Sequence, residues 1–338
     1  MATPTPEQIK YMQDNIDESL VPAVNISSGV LIGAATIAVV LRFLARRMAG
    51  AGLGRDDYCL SLAYILFVCY ATGLMVTTRY GEGRHVLLVT DPKGLAVSSM
   101  VAIVFYVLGM ACVKYSILFL YRRIFPDKTF RTVLFIVAAI VTSWALACLF
   151  TSIFNCYPLA MAWDKSIEGL CIDYGEVTLI LGICNVILDF VVLGAPMPSL
   201  WKLRMSIRRK VLLSLAFAAG SIACLVSIAR LFYAKDVFVS FDPSWDNTLP
   251  GMLSGLEICT GVVACCTITY RPLVEKIFGS SEDASRATSD SHRWNKINVQ
   301  HNVSVVGQSR AELWKREGNR ESLQEWELRS RGIDGEWL

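Results

Sequence analysis

Seven apolar segments, each long enough to cross a lipid bilayer, dominate the chain. A membrane-spanning helix needs about 20 mostly apolar residues. The segments cover approximately 26–45, 58–78, 95–121, 130–154, 174–199, 210–234 and 248–270. Hydrocarbon offers no water to backbone polar groups, so such segments form helices or closed barrels. A barrel strand alternates apolar and polar residues over about ten positions, and the sequence lacks that alternation. It therefore predicts an all-α polytopic membrane protein with a seven-transmembrane-helix bundle.

The composition agrees with a membrane protein. Only 18% of the residues are charged, against about 25% in a typical soluble domain. The formal net charge of +3 does not indicate a nucleic-acid partner, so the predicted partner is the lipid bilayer. The predicted domains are a short extracytoplasmic N-terminal tail over 1–25, a membrane domain over 26–278, and a largely disordered, serine-rich cytosolic tail over 279–338.

Lysine and arginine cluster in alternate connections between the apolar segments. Positive charge marks the cytosolic side of a membrane protein. Because the first, third and fifth connections are the basic ones, we expect the N-terminus outside and the C-terminus in the cytosol. The tail before the first span lacks the basic start of a cleavable signal peptide, so this span is expected to act as an uncleaved signal-anchor. The host membrane is the plasma membrane or an endomembrane. The basic residues are Arg46, Arg47, Arg55, Arg122, Arg123, Lys128, Arg131, Lys202, Arg204, Arg208, Arg209 and Lys210.

We single out four ionisable residues inside the spans: Lys114, Asp189, Arg230 and Glu257. Each costs at least about 2.5–3.5 kcal/mol to insert, so they should face the bundle interior and pair. At 1.5 Å per residue, Lys114 and Asp189 lie roughly 10 and 15 Å from their cytosolic helix ends, and we expect them to meet in the inner half. Arg230 and Glu257 are expected to meet in the outer half. Asn185, one turn from Asp189, is a second partner for Lys114.

Two interpretations of these charges stay open. An intramembrane charge indicates a ligand-binding or switching site by default. An ion pair between helices also sets their packing, and the sequence does not decide between the two roles.

Two cysteines, Cys156 and Cys171, lie in the fourth connection, which the predicted topology places outside, in an oxidising compartment. We expect them to form a disulfide that closes a loop of about 15 residues, worth roughly 3 kcal/mol. A weak glycosylation sequence starts at Asn25, directly before the first span. The remaining cysteines lie mostly in apolar runs and are predicted to be packing residues.

No cofactor is expected. The three histidines lie outside the spans, and no metalloprotease, phosphate-loop or serine-hydrolase motif occurs. A retinal protein of the usual kind carries its Schiff-base lysine in the seventh helix. The seventh span has no lysine, and Lys114 lies near the predicted cytosolic side, so the chain is not expected to bind retinal.

Several motifs in order resemble one family. They are GRDDY (54–58), KYSILFLYRRIF (114–125), NCYPLAMAWD (155–164) with GLC (169–171), NVILDFVVLGAPMPSLWKL (185–203), SIARL (227–231), and Glu257 followed by RPL (271–273). Over about residues 27–279 the chain resembles the fungal rhodopsin-like (rhodopsin domain) seven-helix integral membrane proteins. Satratoxin-cluster membrane proteins and Pth-type receptor-like proteins are relatives of that family.

The resemblance implies a seven-helix bundle with an outside N-terminus and with the intramembrane charges as family features. It also implies receptor-like topology and, for some members, genes beside secondary-metabolite genes. The chain lacks the Asp/Glu-Arg-Tyr and Asn-Pro-x-x-Tyr motifs that usually accompany G-protein coupling. Arg122 and Arg123 lie at the corresponding membrane edge and are the expected cytosolic coupling edge.

Three functions follow as hypotheses. The first is a receptor-like protein whose small ligand, such as a lipophilic metabolite, enters near Arg230 and Glu257 and whose cytosolic partner binds the inner loops and tail. The second is a membrane-embedded enzyme or transporter of secondary metabolites that uses Asp189 or Glu257. The different depths expected for the two carboxylates argue against a shared site. The third is a scaffold, in which the charges serve only assembly. Whether the chain is an enzyme stays open.

Overall fold

A computed structural model of the chain describes residues 5–50, 52–124, 127–164, 166–197, 207–237 and 240–270. The chain divides into two units, Met1–Leu273 and Val274–Leu338. The predicted disordered tail over 279–338 and the RPL motif lie outside the described residues, as does the end of the fifth-span motif.

Most of the described residues are helical, and the other regular elements among them are two short paired strands and four single turns of 3₁₀-helix. In chain order the elements are α1 (Pro6–Asp14), α2 (Val21–Met48), α3 (Arg55–Thr77), α4 (Pro92–Ile124), α5 (Lys128–Ile153), β1 (Cys156–Tyr157), β2 (Leu170–Cys171), α6 (Tyr174–Gly194), α7 (Ile207–Val237), α8 (Pro243–Asp246) and α9 (Thr248–Thr267). The 3₁₀ turns are Thr78–Tyr80, Val86–Leu88, Leu159–Ala162 and Ile268–Tyr270.

Seven of these helices are long and apolar enough to cross a membrane. They are α2 to α7 and α9, and they match the seven predicted segments in order, so the predicted all-α fold is confirmed. Most are longer than predicted: the third span, predicted over 95–121, is the helix Pro92–Ile124. The extra turns of this helix carry Lys93, Arg122 and Arg123, and a helix can continue into the headgroup region where such residues are solvated.

Short polar side chains start several of these helices. Asp127 and Asp173 precede α5 and α6, and their carboxylates accept hydrogen bonds from the backbone N–H groups of Phe130 and Glu176. Such caps satisfy donors that a helix start leaves free. They set the points at which the chain re-enters the bundle.

The N-terminal segment contains a helix that the sequence interpretation did not predict. The helix α1 begins after Thr5, whose side chain and backbone exchange hydrogen bonds with Gln8, and Pro6 occupies its first turn. This capping box was a readable signal, since threonine followed three residues later by glutamine starts many helices. Met12 on this helix is fully buried.

The packing of the bundle suits a lipid environment. Its core is apolar, and the largest fully buried side chains include Phe67, Leu60 and Ile258. Many large apolar side chains are also exposed on the outside, among them Phe135, Phe150 and Leu225. A soluble protein seldom exposes so much contiguous apolar surface to water. In a membrane, the lipid chains cover this surface, and no apolar area is exposed to water there.

The two ends of the bundle differ in chemistry. The disulfide end contains β1, β2, the turns at 78–80 and 86–88, and α8. The arginine end contains the last turns of α2 and α4, with Arg46, Arg47, Arg122 and Arg123. The arginine end is the one that the charge pattern predicts to face the cytosol.

Candidate functional site

Lys114 on α4 forms an ion pair with Asp189 on α6. The lysine side chain is 2% exposed, and its ammonium group also lies 5.8 Å from the ring centre of Trp144. A cation over an indole face gains electrostatic attraction when water is excluded. Both contacts hold the lysine between helices rather than in lipid.

Arg230 on α7 and Glu257 on α9 form the second pair, with Arg230 Nε 3.1 Å from Glu257 Oε2. Glu257 is fully buried and has further partners. The Tyr106 hydroxyl donates to Glu257 Oε2 at 2.7 Å, and Asn185 Nδ2 donates to Oε1 at 2.6 Å. The carboxylate therefore joins four helices: α4, α6, α7 and α9.

The two ion pairs form one site, so the expectation that the carboxylates lie apart was wrong. Ser227 Oγ lies 2.8 Å from Asp189 Oδ2 and also contacts Glu257 Oε1. Asn185 Nδ2 lies between the same two carboxylates, 3.4 Å from Asp189 Oδ2. The depth estimate treated each residue as a point on its own helix. Asn185 and Asp189 span a full turn of α6, and the bridging amide covers the difference in depth.

We call these seven residues the charge network: Tyr106, Lys114, Asn185, Asp189, Ser227, Arg230 and Glu257. It contains two cations and two carboxylates, so its formal charge is balanced. Loss of one partner from a buried pair leaves an uncompensated charge, which typically costs about 3–5 kcal/mol. The network is therefore both a brace between helices and a set of groups that any bound molecule would meet.

Two buried polar atoms of the network have no hydrogen-bond partner among the described residues. They are Arg230 Nε and Asn185 Oδ1. The Nε atom is close to Glu257, but its N–H does not point along a hydrogen bond to that carboxylate. Buried polar atoms are usually paired, so one unmet donor and one unmet acceptor mark this end of the network.

A cavity of about 190 Å³ extends from these atoms towards the disulfide end. Tyr106, Asn185 and Arg230 line one end of it, and Glu82 and Asn247 also belong to its lining. Its other walls combine apolar residues with hydroxyl residues. The apolar and small residues include Leu74, Ala102, Ile103, Val107, Trp144, Leu181 and Gly251, and the hydroxyl residues are Tyr70, Thr77, Ser99, Thr151, Ser152, Thr178 and Ser254.

A second, smaller cavity of about 80 Å³ lies towards the arginine end. Lys114, Asp189 and Glu257 line it, together with apolar residues such as Met110 and Val192. The charge network therefore separates two cavities, and Glu257 lies at the junction.

Near the arginine end, the structure contains a buried charge cluster that the sequence interpretation missed. Arg42 is fully buried in α2, with Nε 2.8 Å from Asp57 Oδ1 and Nη2 2.7 Å from Asp56 Oδ2. Its Nη1 donates to the carbonyl of Cys265 on α9 at 2.6 Å. Arg42 falls within the predicted span 26–45, so it was a further intramembrane charge that the four singled-out residues did not include. The two aspartates of GRDDY were its readable partners.

Two further arginines of this end, interpreted from sequence as loop charges, have different environments. Arg46 is buried and also pairs with Asp56 and Asp57. Arg123 lies 3.5 Å from Asp56 and is half-exposed, whereas Arg122 is exposed. Of the two residues predicted as the coupling edge, Arg123 contacts the buried cluster and Arg122 is exposed.

At the disulfide end, the predicted bond between Cys156 and Cys171 is present and joins β1 to β2. Asn25 lies inside the helix α2, with an exposed side chain. Its glycosylation stays a prediction. Among the described residues no group of three or more histidine, cysteine, aspartate or glutamate side chains has a metal-binding arrangement.

The same end carries two polar pairs that sequence reasoning did not identify. His85 Nδ1 lies 2.5 Å from Asp242 Oδ2, and its ring stacks on Trp245. Asn247 Nδ2 donates to Glu82 Oε1 at 2.7 Å. Burial raises the pKa of Glu82 to about 7, against the opposing effect of the Asn247 hydrogen bond. No local pattern links these pairs, because their members lie more than 150 positions apart along the chain.

Comparisons with known proteins give consistent matches. The model of the family described as "Fungal rhodopsin domain" matches residues 41–276. A SAT4 family membrane protein of Emericella nidulans is 31% identical over 66% of this chain and 59% of its own length. The polyenoic acids biosynthesis gene cluster protein Ba17b of Metarhizium anisopliae is 28% identical over 71% of this chain and 70% of its own. Satratoxin biosynthesis SC1 cluster protein 4 of Stachybotrys chartarum is 28% identical over 52% of this chain and 64% of its own length. No solved structure matches the chain.

Proposed function

The chain belongs to the fungal rhodopsin domain family of membrane proteins, and from that premise we propose that it is a receptor-like protein that senses a small, largely apolar molecule. The observation that carries the proposal is the cavity of about 190 Å³ that ends on Arg230 and Asn185. A mostly apolar pocket with a few convergent polar groups is typical of a small-molecule site. Arg230 Nε and Asn185 Oδ1, which have no hydrogen-bond partner among the described residues, supply those groups.

The charge network supports a path from this cavity to the arginine end. A ligand that bonds to Arg230 or Asn185 competes with Glu257 for the same side chains. Glu257 and Asp189 share Ser227, so a change at one carboxylate alters the hydrogen bonding of the other. Asp189 in turn holds Lys114, which lines the second cavity. Ligand binding can thereby bias the packing of four helices.

The cellular context follows from the relatives. Two of them are named for clusters that make polyenoic acids and satratoxin. We extend that link to this chain and propose that its ligand is a secondary metabolite or a related small molecule. Arg122 is the proposed contact for a cytosolic partner, and the tail over 279–338 stays a separate predicted contact.

Transport of such a molecule is the second candidate function. The specific observation in its favour is that the charge network lines a cavity on each side. Polar groups between two cavities are what alternating access requires. Each carboxylate is held by a cation and by hydroxyl or amide groups, so neither is positioned as a free acid, and we do not extend the proposal to catalysis.

The experiment uses two matched serine variants in the native host. Ser254 lines the cavity, and its hydroxyl donates to the carbonyl of Pro250 on its own helix and contacts the Tyr70 side chain. Ser143 makes the same kind of bond to Ala139 but is exposed on α5. Ser254→Leu fills the cavity, whereas Ser143→Leu makes the same chemical change on the outer surface.

Strains with the wild-type chain, either variant or a deletion would be compared by transcript profiles and by intracellular and secreted metabolites. A receptor predicts that Ser254→Leu reproduces the transcript changes of the deletion, while Ser143→Leu matches wild type. A transporter predicts unchanged transcripts and a shifted ratio of intracellular to secreted metabolite. If Ser254→Leu, at the wild-type protein level, changes neither the transcripts nor the metabolites, both functions are rejected.

A further inference from the structure

The cavity at the disulfide end has a polar pair at each end and, between them, apolar walls interrupted by the hydroxyl groups of small residues such as Ser99, Thr151 and Ser254. Arg230 and Asn185 lie at one end, where the charge network begins. Glu82 and Asn247, joined by a hydrogen bond of 2.7 Å, also line it. Between them the lining residues include Leu74, Ile103, Val107 and Leu181.

The distance between these two ends of the cavity can be measured along the helix α9. Asn247 directly precedes α9, and Glu257, the partner of Arg230, is ten positions further along. At 1.5 Å per residue the two positions are about 15 Å apart along the helix axis. Gly251 and Ser254, which lie between them, both line the cavity. The space is therefore elongated along the bundle.

The volume of the cavity limits the size of the occupant. A cavity of about 150 Å³ holds one benzene molecule. Because the volume of about 190 Å³ extends over about 15 Å of length, only a narrow, unbranched molecule can lie along it. An extended chain of up to about twelve carbons with an oxygen at each end has this length at ordinary bond lengths.

The chemistry of each end favours a neutral polar group. At the Arg230 end the charges of the network already balance, and the unmet atoms are one donor and one acceptor. A hydroxyl group can accept from Arg230 Nε and donate to Asn185 Oδ1. At the other end Glu82 is buried, and its pKa of about 7 leaves it protonated in part at neutral pH. A carboxylic acid or carboxylate there also suits a hydroxyl partner.

We infer that the ligand is a neutral, elongated, largely apolar molecule with a hydroxyl-type group at each end, one bound by Arg230 and Asn185 and the other by Glu82 and Asn247. This inference rests on the proposed function only in taking the cavity as the ligand site. It does not depend on whether binding leads to a signal or to transport.

The test measures direct binding to the full-length chain in detergent-free lipid nanodiscs, because detergent tails would compete for the cavity. The probes are α,ω-dodecanediol, dodecanol and dodecane, which share one carbon chain and carry two, one and no hydroxyl groups. Each additional hydrogen-bonded end should raise the affinity about two- to tenfold. We expect the diol to bind tightest and the alkane weakest, after subtraction of uptake by empty nanodiscs.

The variant Glu82→Met tests whether Glu82 binds one of the two hydroxyl groups of the diol. Methionine keeps the side-chain length and removes the polar group, so the preference for the diol over dodecanol should fall towards one. Ser254→Leu should abolish binding of all probes, whereas the matched Ser143→Leu should leave all affinities within about twofold of wild type, as surface changes usually do.

Three outcomes would overturn the inference. They are equal affinities of the diol and dodecanol for the wild-type chain, a diol preference that Glu82→Met leaves unchanged, and binding that survives Ser254→Leu. If any of these outcomes is found while the Ser254→Leu strain still shows the transcript changes of the deletion strain, the inferred ligand chemistry is wrong and the receptor proposal stands. If the diol binds as expected but the host strains behave alike, the receptor proposal fails and the site assignment stands.

Discussion

Asn185 on α6 donates a hydrogen bond of 2.6 Å to Glu257 on α9, and this contact merges two ion pairs into one network. The same amide nitrogen lies 3.4 Å from Asp189. Together with Ser227, which contacts both carboxylates, it connects the pair Lys114–Asp189 to the pair Arg230–Glu257.

Replacement of Asn185 tests this bridge. Asn185→Leu should destabilise the protein by about 1–3 kcal/mol, because it leaves carboxylate acceptors without a buried donor. Asn185→Asp has nearly the same shape but adds a third carboxylate to a balanced network, and it should cost more than Asn185→Leu. Thermal unfolding in nanodiscs measures both. Equal stability of the two variants would contradict the assigned orientation of the amide.

The pair of Lys114 and Asp189 should behave as a unit. Lys114→Met or Asp189→Leu alone leaves a buried charge, and each should cost about 3–5 kcal/mol. The double variant removes both charges and should recover most of that loss. A double-mutant cycle on the unfolding free energy gives the coupling directly. Additive losses would show that the two side chains do not depend on each other.

If the double variant folds, its cellular behaviour separates the two roles left open by the sequence. A helix brace predicts a normal transcript profile once stability is restored. A part in signalling or transport predicts a lost phenotype in a stable protein. Comparison with wild type at matched protein levels decides between them.

Replacement of the forked guanidinium group of Arg42 should destabilise the protein. Arg42→Lys keeps the charge but cannot bind Asp56 and Asp57 with two nitrogens while a third reaches Cys265. We expect a loss of about 2–4 kcal/mol, in the range for a broken buried network. Arg47→Lys, on an exposed residue of the same helix turn, is the matched control and should stay within about 0.5 kcal/mol of wild type. Similar unfolding midpoints for the two variants would argue against a structural role of the cluster.

Glu82 should make stability depend on pH. Its pKa rises from 4.5 to about 7 on folding, so the folded state binds the proton more tightly than the unfolded state. Stability from this group is therefore full below about pH 4.5 and is lost as the pH rises through 7, by at most about 3 kcal/mol.

Glu82→Gln removes this titration and leaves the other groups of the disulfide end unchanged. The variant and the wild type should melt at similar temperatures at pH 5, and the variant should melt higher at pH 8. Melting curves in nanodiscs across this range provide the check. A constant difference between the two proteins at all pH values would show that Glu82 does not titrate there.

Much of the fold could be predicted because hydrophobic length is a local property. A run of about 20 apolar residues forms a spanning helix independently of the segments that pack against it. The disulfide between Cys156 and Cys171 was predictable from their shared connection, and α1 carried a capping signal in Thr5 and Gln8 that the interpretation passed over. The four singled-out charges were matched with the partners that the structure shows, since charges in hydrocarbon need opposite charges nearby.

The sequence by itself determined the number and order of the helices and the need for buried charges to pair. Only the tertiary structure decided how those pairs combine. Asn185 and Ser227 bridge two carboxylates because α6, α7 and α9 bring their faces together at one height, and no pattern within a single helix encodes that register. The contacts of Arg42 with Cys265 and of Glu82 with Asn247 join residues 223 and 165 positions apart. Such contacts depend on which helices become neighbours, and that choice is made by the packing of the whole bundle.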